Sequence, residues 1–134
     1  MKSPMPAAVE DRPDSSSEQA RRIDAERSIE KLLNVLGDAD CRAILDATSD
    51  EVLSANEVSE TCDLPLSTTY RKLDLLTDSG LLEERTRIRQ SGKHASEFYR
   101  AVEDVLVSLG THGGISLHVI HREHAEEVVP TIPR

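Results

Sequence analysis

The chain contains few of the residues from which large cores, disulfide frameworks and membrane spans are built. It has two tyrosines, one phenylalanine and no tryptophan in 134 residues, so a single modest core must consist mainly of Leu, Ile and Val. Its two cysteines, Cys41 and Cys62, form no C-x-x-C motif, which favours a reducing interior. No apolar stretch approaches the ~20 residues that cross a bilayer, and the N-terminus has no apolar signal region. We therefore expect a soluble cytoplasmic protein.

The sequence also lacks the local motifs of common enzymes. It contains no nucleophile elbow, no phosphate-binding glycine loop and no H-E-x-x-H pair of metal-binding histidines. Its carboxylates are scattered in a way that matches an acidic surface better than a catalytic pair. We therefore expect neither enzymatic activity nor a cofactor, and no small-molecule substrate is evident.

Lysine is scarce and the charge is unevenly distributed. The formal net charge is −9, and this acidic, lysine-poor composition resembles that of proteins from salt-loving archaea. An acidic surface keeps such proteins soluble in 1 M salt, which screens ordinary charges to a Debye length of ~3 Å. The alternative is an ordinary acidic cytosolic protein. Residues 66–100 nevertheless carry seven Lys/Arg against five Asp/Glu, and they form the only net-positive part of the chain. Such an asymmetry is typical of a basic surface for nucleic acid on an otherwise acidic protein.

The segment from Leu53 to Gly80 predicts two short helices joined by a tight turn. Ser54 can cap the first helix and Glu57 can close a capping box. Pro65 ends that helix region. The second helix is predicted to be capped by Ser67 and to end at Gly80, and the apolar stripes of the two helices are Ala55, Val58, Cys62 and Thr69, Leu73, Leu76, Gly80. This pattern indicates a helix-turn-helix, which can place its second helix in the major groove of DNA.

The flanking sequence predicts an α+β winged helix-turn-helix with an additional C-terminal β-hairpin. Residues 1–22 are expected to be a disordered leader, residues 23–102 the winged helix-turn-helix domain and residues 103–134 the C-terminal hairpin and tail. Two helices are predicted before the helix-turn-helix: one over about 22–36, with one face formed by Ala25, Ile29, Leu32, Leu33 and Leu36, and one capped by Asp38, with its inner side formed by Cys41, Ile44, Leu45 and Thr48. After the helix-turn-helix, a wing of two strands is predicted, one from Leu82 and one over Ala95–Val102. A hairpin over Val105–Leu109 and Ile115–Ile120 and a helical turn at Glu123–Val129 are predicted to follow.

Two stretches resemble the winged-helix regulators of the ArsR type, particularly small archaeal members. The first is Leu36-Gly37-Asp38 followed by Ile44-Leu45, similar to L-G-D-P-x-R-x-x-I-L with Ala39 and Cys41 as departures. The second is the run S-T-T-Y-R-K-L from Ser67, with L-L and S-G-L-L following, similar to S-x-x-S/Y-R-H-L-x-x-L-x-x-x-G-L-V. The resemblance covers about residues 25–102 and implies sequence-specific binding of double-stranded DNA, usually by a homodimer. The C-x-C of the family's metal sensors is absent, since Glu60 replaces its first cysteine.

The predicted DNA-contacting residues lie on the second helix and on the wing. Arg71 is the best candidate for a bidentate contact to guanine, with the wing on phosphates or in the minor groove, whereas Arg85 could pair with Glu83 or Glu84. The full set is Ser67, Thr68, Tyr70, Arg71, Lys72, Arg87, Arg89, Lys93 and His94. Simple solvent exposure of a charged helix and strand is the alternative.

Other functions stay open at this level. The protein could be a winged-helix module that binds a protein of the transcription apparatus through its C-terminal hairpin, or a metal- or redox-responsive repressor. Cys41 and Cys62 lie on apolar stripes and are expected to be buried thiols. His112, His118, His121 and His124 lack a recognisable metal-ligand spacing, so we expect surface histidines. The first helix, through Ile29, Leu32 and Leu33, and the C-terminal hairpin are the predicted dimer elements.

Overall fold

The computed structural model describes residues 20–88 and 90–123. These residues form two compact units, one of residues 26–102 and one that combines residues 20–25 with residues 103–123. The larger unit contains four helices and a three-stranded sheet, and the smaller unit contains a second three-stranded sheet. The larger unit is a winged helix-turn-helix, and the smaller contains the additional C-terminal hairpin that the sequence predicts.

The helices of the larger unit are α1 (Glu26–Leu36), α2 (Ala39–Ala47), α3 (Ala55–Cys62) and α4 (Leu66–Asp78). The last three pack against one another, and α1 packs on α2. The side chain of Asp38 accepts a hydrogen bond from the Cys41 amide at the start of α2, and Ser54 and Glu57 form the complete capping box of α3. Both caps were predicted from the sequence and are confirmed. Each cap accepts a hydrogen bond from an amide of the first helical turn, which has no carbonyl one turn earlier to bond with.

The first helix differs from its prediction at both its start and its face. It begins at Glu26, and residues Ala20–Ile23 form a strand, β1, where the sequence predicted the end of a leader and the first turn of a helix. The buried side chains of α1 are those of Ile29, Leu32 and Val35, whereas Leu33 is 38% exposed. The predicted stripe was therefore partly wrong, because the helix is rotated so that Val35 rather than Leu33 faces inward.

The turn between α3 and α4 and the end of α4 use left-handed residues. Asp63 has φ 56° and Gly80 has φ 80°, and the residue after each donates its amide to the carbonyl five positions back, Leu64 to Ser59 and Leu81 to Leu76. This is the Schellman arrangement, which satisfies the last carbonyls of a helix. The predicted Ser67 cap is wrong: the cap position of α4 is Pro65, two residues earlier, and the helix begins at Leu66. The φ of Pro65 is −59°, which suits a helix start, and its side chain supplies no capping hydrogen bond.

The sheet of the larger unit has the strand order β2-β4-β3, formed by β2 (Leu53–Ser54), β4 (His94–Arg100) and β3 (Leu82–Ile88). Both pairings are antiparallel. In the long pairing, Arg85 lies opposite Glu97 and Glu83 lies opposite Tyr99. The wing is thus confirmed, but β4 ends at Arg100, and Val102, predicted at the end of this strand, belongs to the next one.

The smaller unit is a sheet with the order β1-β6-β5, in which β5 spans Val102–Leu109 and β6 spans Ile115–His121. The predicted hairpin is confirmed by β5 and β6. The strand β1, which the sequence did not predict, pairs antiparallel with β6, placing Ile23 opposite Leu117. Leu117 and Val119 of β6 are fully buried. The predicted turn at Glu123–Val129 lies outside the described residues beyond Glu123.

Candidate nucleic-acid interface

The helix α4 has one buried and one exposed face. Thr69, Leu73 and Leu76 are at most 1% exposed, as predicted, and they anchor the helix to the rest of the unit. The opposite face carries the exposed side chains of Tyr70, which is 51% exposed, and Arg71. A helix fixed on one side and polar on the other, at the end of a helix-turn-helix, has the geometry required for reading a DNA groove.

The start of α4 adds one residue that the sequence analysis missed. Leu66 is 41% exposed, and it precedes Tyr70 by one helical turn. Ser67 is exposed as well, and Thr68 is half-buried. Apolar side chains at this position can contact the methyl group of thymine. The sequence pattern assigns Leu66 to the turn between the two helices, and only the structure shows that the helix begins at this residue.

Lys72 is held by an ion pair within the protein. Its Nζ lies 2.9 Å from Oδ2 of Asp38, and only 16% of its side chain is exposed. This hydrogen bond raises the pKa of Lys72 and lowers the pKa of Asp38. The same Asp38 oxygen accepts the Cys41 amide at 3.0 Å. Lys72 therefore connects α4 to the N-terminus of α2, and the sequence could not indicate this because the two residues are far apart along the chain.

The wing arginines share a buried carboxylate. Glu97 is 5% exposed; its Oε1 lies 3.5 Å from Nε of Arg85 and its Oε2 lies 3.2 Å from a terminal nitrogen of Arg87. The predicted pairing of Arg85 with Glu83 or Glu84 is wrong, since Glu83 instead accepts a hydrogen bond from the Tyr99 hydroxyl at 2.8 Å. The cross-strand register decides this, because it places Glu97 directly opposite Arg85.

The tip of the wing presents polar and apolar groups together. Lys93 and His94, which the sequence predicts as DNA contacts, are both exposed, and Ile88, opposite His94 in the sheet, is 70% exposed. Gly92, with φ 86°, makes the turn. Arg89, predicted as a fourth basic contact of the wing, lies outside the described residues.

The two cysteines have the environment of structural thiols. Cys41 is fully buried, and burial, reinforced by the carboxylate of Asp38, raises its pKa to about 12. Burial also raises the pKa of Cys62, which is half-buried. Because the thiolate is the reactive and metal-binding form, neither residue is chemically activated.

The described part of the chain contains neither a cluster of metal-binding side chains nor a membrane-spanning helix. Within residues 20–88 and 90–123, no three His, Cys, Asp or Glu side chains lie together in a way that could hold a metal ion. His118 and His121 lie on β6, whereas His124 is outside the described residues. None of the described helices is both long and apolar enough to cross a bilayer.

Residues 36–85 match a protein-family model described as a helix-turn-helix domain. This segment contains α2, α3, α4 and the first residues of β3. No curated protein matches the chain. The match covers the helices whose geometry is described above.

The solved structures similar to this chain include the following three. They are a homodimeric winged helix-turn-helix DNA-binding domain from Mycobacterium bovis, a possible ArsR-family transcriptional regulator (17% identity, 74% of this chain, 72% of that chain, TM-score 0.46), NolR from Sinorhizobium fredii (14%, 75%, 79%, TM-score 0.47), and a possible transcriptional regulator from Methanosarcina mazei (16%, 60%, 73%, TM-score 0.44).

Proposed function

We propose that this protein is a transcriptional regulator that binds double-stranded DNA with sequence preference, and that it is related to the ArsR-type regulators. The observation that carries the proposal is the construction of α4. Its apolar stripe is fully buried in a helix-turn-helix, and its exposed face presents Arg71, Tyr70 and Leu66 from the N-terminal half of the helix. The N-terminal half of such a helix is the part that contacts base edges.

In the proposed complex, α4 lies in the major groove and the wing contacts the backbone or the minor groove. Arg71 donates to guanine, while Ser67, Thr68, Tyr70 and Leu66 contact neighbouring bases or phosphates. Lys72 fixes α4 through Asp38 rather than contacting DNA itself. The proposed phosphate contacts of the wing come from Arg87, Arg89, Lys93 and His94.

We further propose that the protein acts as a homodimer through the edge strand β5. Among the described strands, β5 lies at the edge of its sheet, and three of its apolar side chains are exposed: Leu106 by 53%, Val107 by 53% and Leu109 by 79%. An exposed apolar edge strand pairs readily with another strand. Leu33 of α1, 38% exposed, is a further candidate contact.

The charges of β5 favour an antiparallel pair of identical strands. If two copies of β5 pair about Leu106, Glu103 lies opposite Leu109 and Asp104 opposite Ser108, so no like charges face each other. A parallel pair would align each carboxylate with its own copy. The antiparallel arrangement has the two-fold symmetry of most homodimers.

The test is selection of binding sites from randomised duplex DNA, followed by affinity measurements over a salt series. We expect a site with two-fold symmetry, whose half-sites are ~34–36 Å or a multiple of that apart. Arg71→Ala should lose the preference for one base pair in each half-site, a loss of about 1–3 kcal/mol. Arg27→Ala, which removes an exposed arginine of α1, is the charge-matched control. Absence of DNA binding by the wild-type protein at every salt concentration would contradict the proposal.

The salt series matters because of the acidic composition. With a net charge of −9, the protein suits a cytoplasm of high ionic strength, which we propose as its setting. Counterion release contributes little to affinity in molar salt, so base contacts and apolar contacts must then supply most of it. Selection should therefore be performed at both low and molar salt.

A second candidate function is favoured by the same apolar strand. The exposed Leu106, Val107 and Leu109 could bind another protein, with the winged helix as a supporting module. That function predicts a stable monomer without DNA affinity. The selection experiment separates the two, because only the regulator yields an enriched sequence.

A further inference from the structure

Glu97 is an acidic residue buried at the centre of the wing sheet. It lies on the middle strand β4, opposite Arg85 of β3 on one side and Ser54 of β2 on the other. Only 7% of its side chain is exposed. A buried carboxylate loses the solvation of water, and it is retained at low cost only when positive groups compensate it.

The compensation is divided between two guanidinium groups. Arg87 approaches Oε2 at 3.2 Å, whereas Arg85 approaches Oε1 at 3.5 Å without making a hydrogen bond, and Oε1 has no hydrogen-bond partner among the described residues. Arg85 also lies over the Tyr99 ring, with its Cζ 6.0 Å from the ring centroid. Arg85 is therefore held on two sides, and its side chain is only 33% exposed.

Arg87 is held in a different way. Its side chain is 58% exposed although one of its terminal nitrogens contacts Glu97. A guanidinium carries five N–H donors in a planar fork, so one contact to a carboxylate leaves donors that face solvent. The buried acid fixes the inner edge of the group while the outer edge stays available.

We propose that Glu97 is a positioning residue for DNA binding, which orients Arg87 so that its outer donors meet a backbone phosphate. This inference rests on the proposed function. A free arginine side chain loses rotamer freedom when it contacts phosphate, and Glu97 removes part of that loss before DNA arrives. By charge alone, Glu97 is one more negative residue that would repel DNA. Through its contact with Arg87, however, it favours binding.

The experiment is a double-mutant cycle on DNA affinity, measured with the selected duplex at fixed salt. Glu97→Gln keeps the shape of the side chain but removes its charge, and we expect it to weaken binding by about threefold to tenfold, the range of one preorganised side chain. In an Arg87→Gln background, the same change should have no weakening effect. Glu84→Gln, which removes an exposed charge of β3 from the residue adjacent to Arg85, is the control and should not weaken binding.

Each outcome has a separate meaning. If Glu97→Gln weakens binding equally with and without Arg87, the residue acts through general wing structure and the proposal is overturned. If Glu97→Gln strengthens binding to the same degree as Glu84→Gln, Glu97 is only a repulsive charge and the proposal also fails. If the wild-type protein binds no DNA, the proposed function fails instead, because the cycle then has no starting value. Unfolding curves of all variants check that the wing remains folded.

Discussion

The Asp38 carboxylate is expected to stabilise the larger unit by two contacts made through a single oxygen. Oδ2 accepts the Cys41 amide at 3.0 Å, which caps α2, and it pairs with Nζ of Lys72 at 2.9 Å, which ties α4 to the same helix end. Loss of a helix cap costs about 1 kcal/mol. Loss of a partly exposed ion pair costs about 0.5–1 kcal/mol. Asp38→Ala should therefore lower the free energy of unfolding by about 1.5–2 kcal/mol.

The two contacts can be separated with conservative variants. Asp38→Asn retains an oxygen for the Cys41 amide but loses the charge, and Lys72→Met removes the partner; each should cost about 0.5–1 kcal/mol. The double variant should cost less than the sum of the two, because both remove the same interaction. For a unit of this size, 1 kcal/mol corresponds to roughly 4–8 °C in Tm. Thermal unfolding followed by circular dichroism can resolve these shifts.

The pH dependence provides an independent test. The hydrogen bond from Lys72 holds the pKa of Asp38 below its ordinary value of 3.8. The stability from the carboxylate is therefore fully present above that value and is lost as the pH falls through the lowered pKa. The pKa of Lys72 is raised above 10.5, so its contribution is present below 10.5 and is lost as the pH rises through the raised value. The reasoning is refuted if Asp38→Asn is as stable as wild type at pH 7, or if its deficit persists unchanged at pH 2.

Two further predictions concern the backbone and the thiols. Gly80→Ala should lower the free energy of unfolding, measured in urea, by about 1–2 kcal/mol, because Gly80 has φ 80°. The control Gly114→Ala should be neutral, because that position has open space and no positive φ. Equal costs for the two variants would argue against the left-handed helix end. In the native protein at pH 8, iodoacetamide should modify Cys62 slowly and Cys41 only on unfolding, because Cys41 is fully buried and its pKa is about 12; rapid native modification of Cys41, read by mass spectrometry, would revive the redox alternative.

The helix-turn-helix and the wing could be predicted because their signals are local. The capping box of Ser54 and Glu57 joins residues three positions apart, and the left-handed Gly80 lies at the end of an apolar stripe of period 3.6. The alternation after Leu82 marks a strand in the same way. The prediction failed at Ser67 because two nearby residues, Pro65 and Ser67, both suit a helix start, and the helix begins directly after Pro65.

The strand β1 and the rotation of α1 could not be derived from local pattern. A four-residue strand over Ala20–Ile23 becomes favourable only when β6 supplies its partner, and its sequence carries two exposed arginines that do not suggest a strand. Likewise, Leu33 and Val35 are both apolar, so only the packing of the helix decides which is buried. Such choices depend on contacts between residues distant in sequence.

The sequence by itself determined the candidate reading face: an exposed, polar side of α4 that contains Tyr70 and Arg71, anchored by a stripe of apolar residues. Only the tertiary structure decided which of the nearby charges are already paired. Lys72 forms an ion pair with Asp38, and Arg85 and Arg87 both pair with Glu97. Folding brings these residues together although they are separated along the chain. The physical reason is that amphipathic periodicity depends on residues that are close in sequence, whereas electrostatic pairing depends on distance in space. Here those distances are fixed by the register of β3 and β4 and by the packing of α4 on α2.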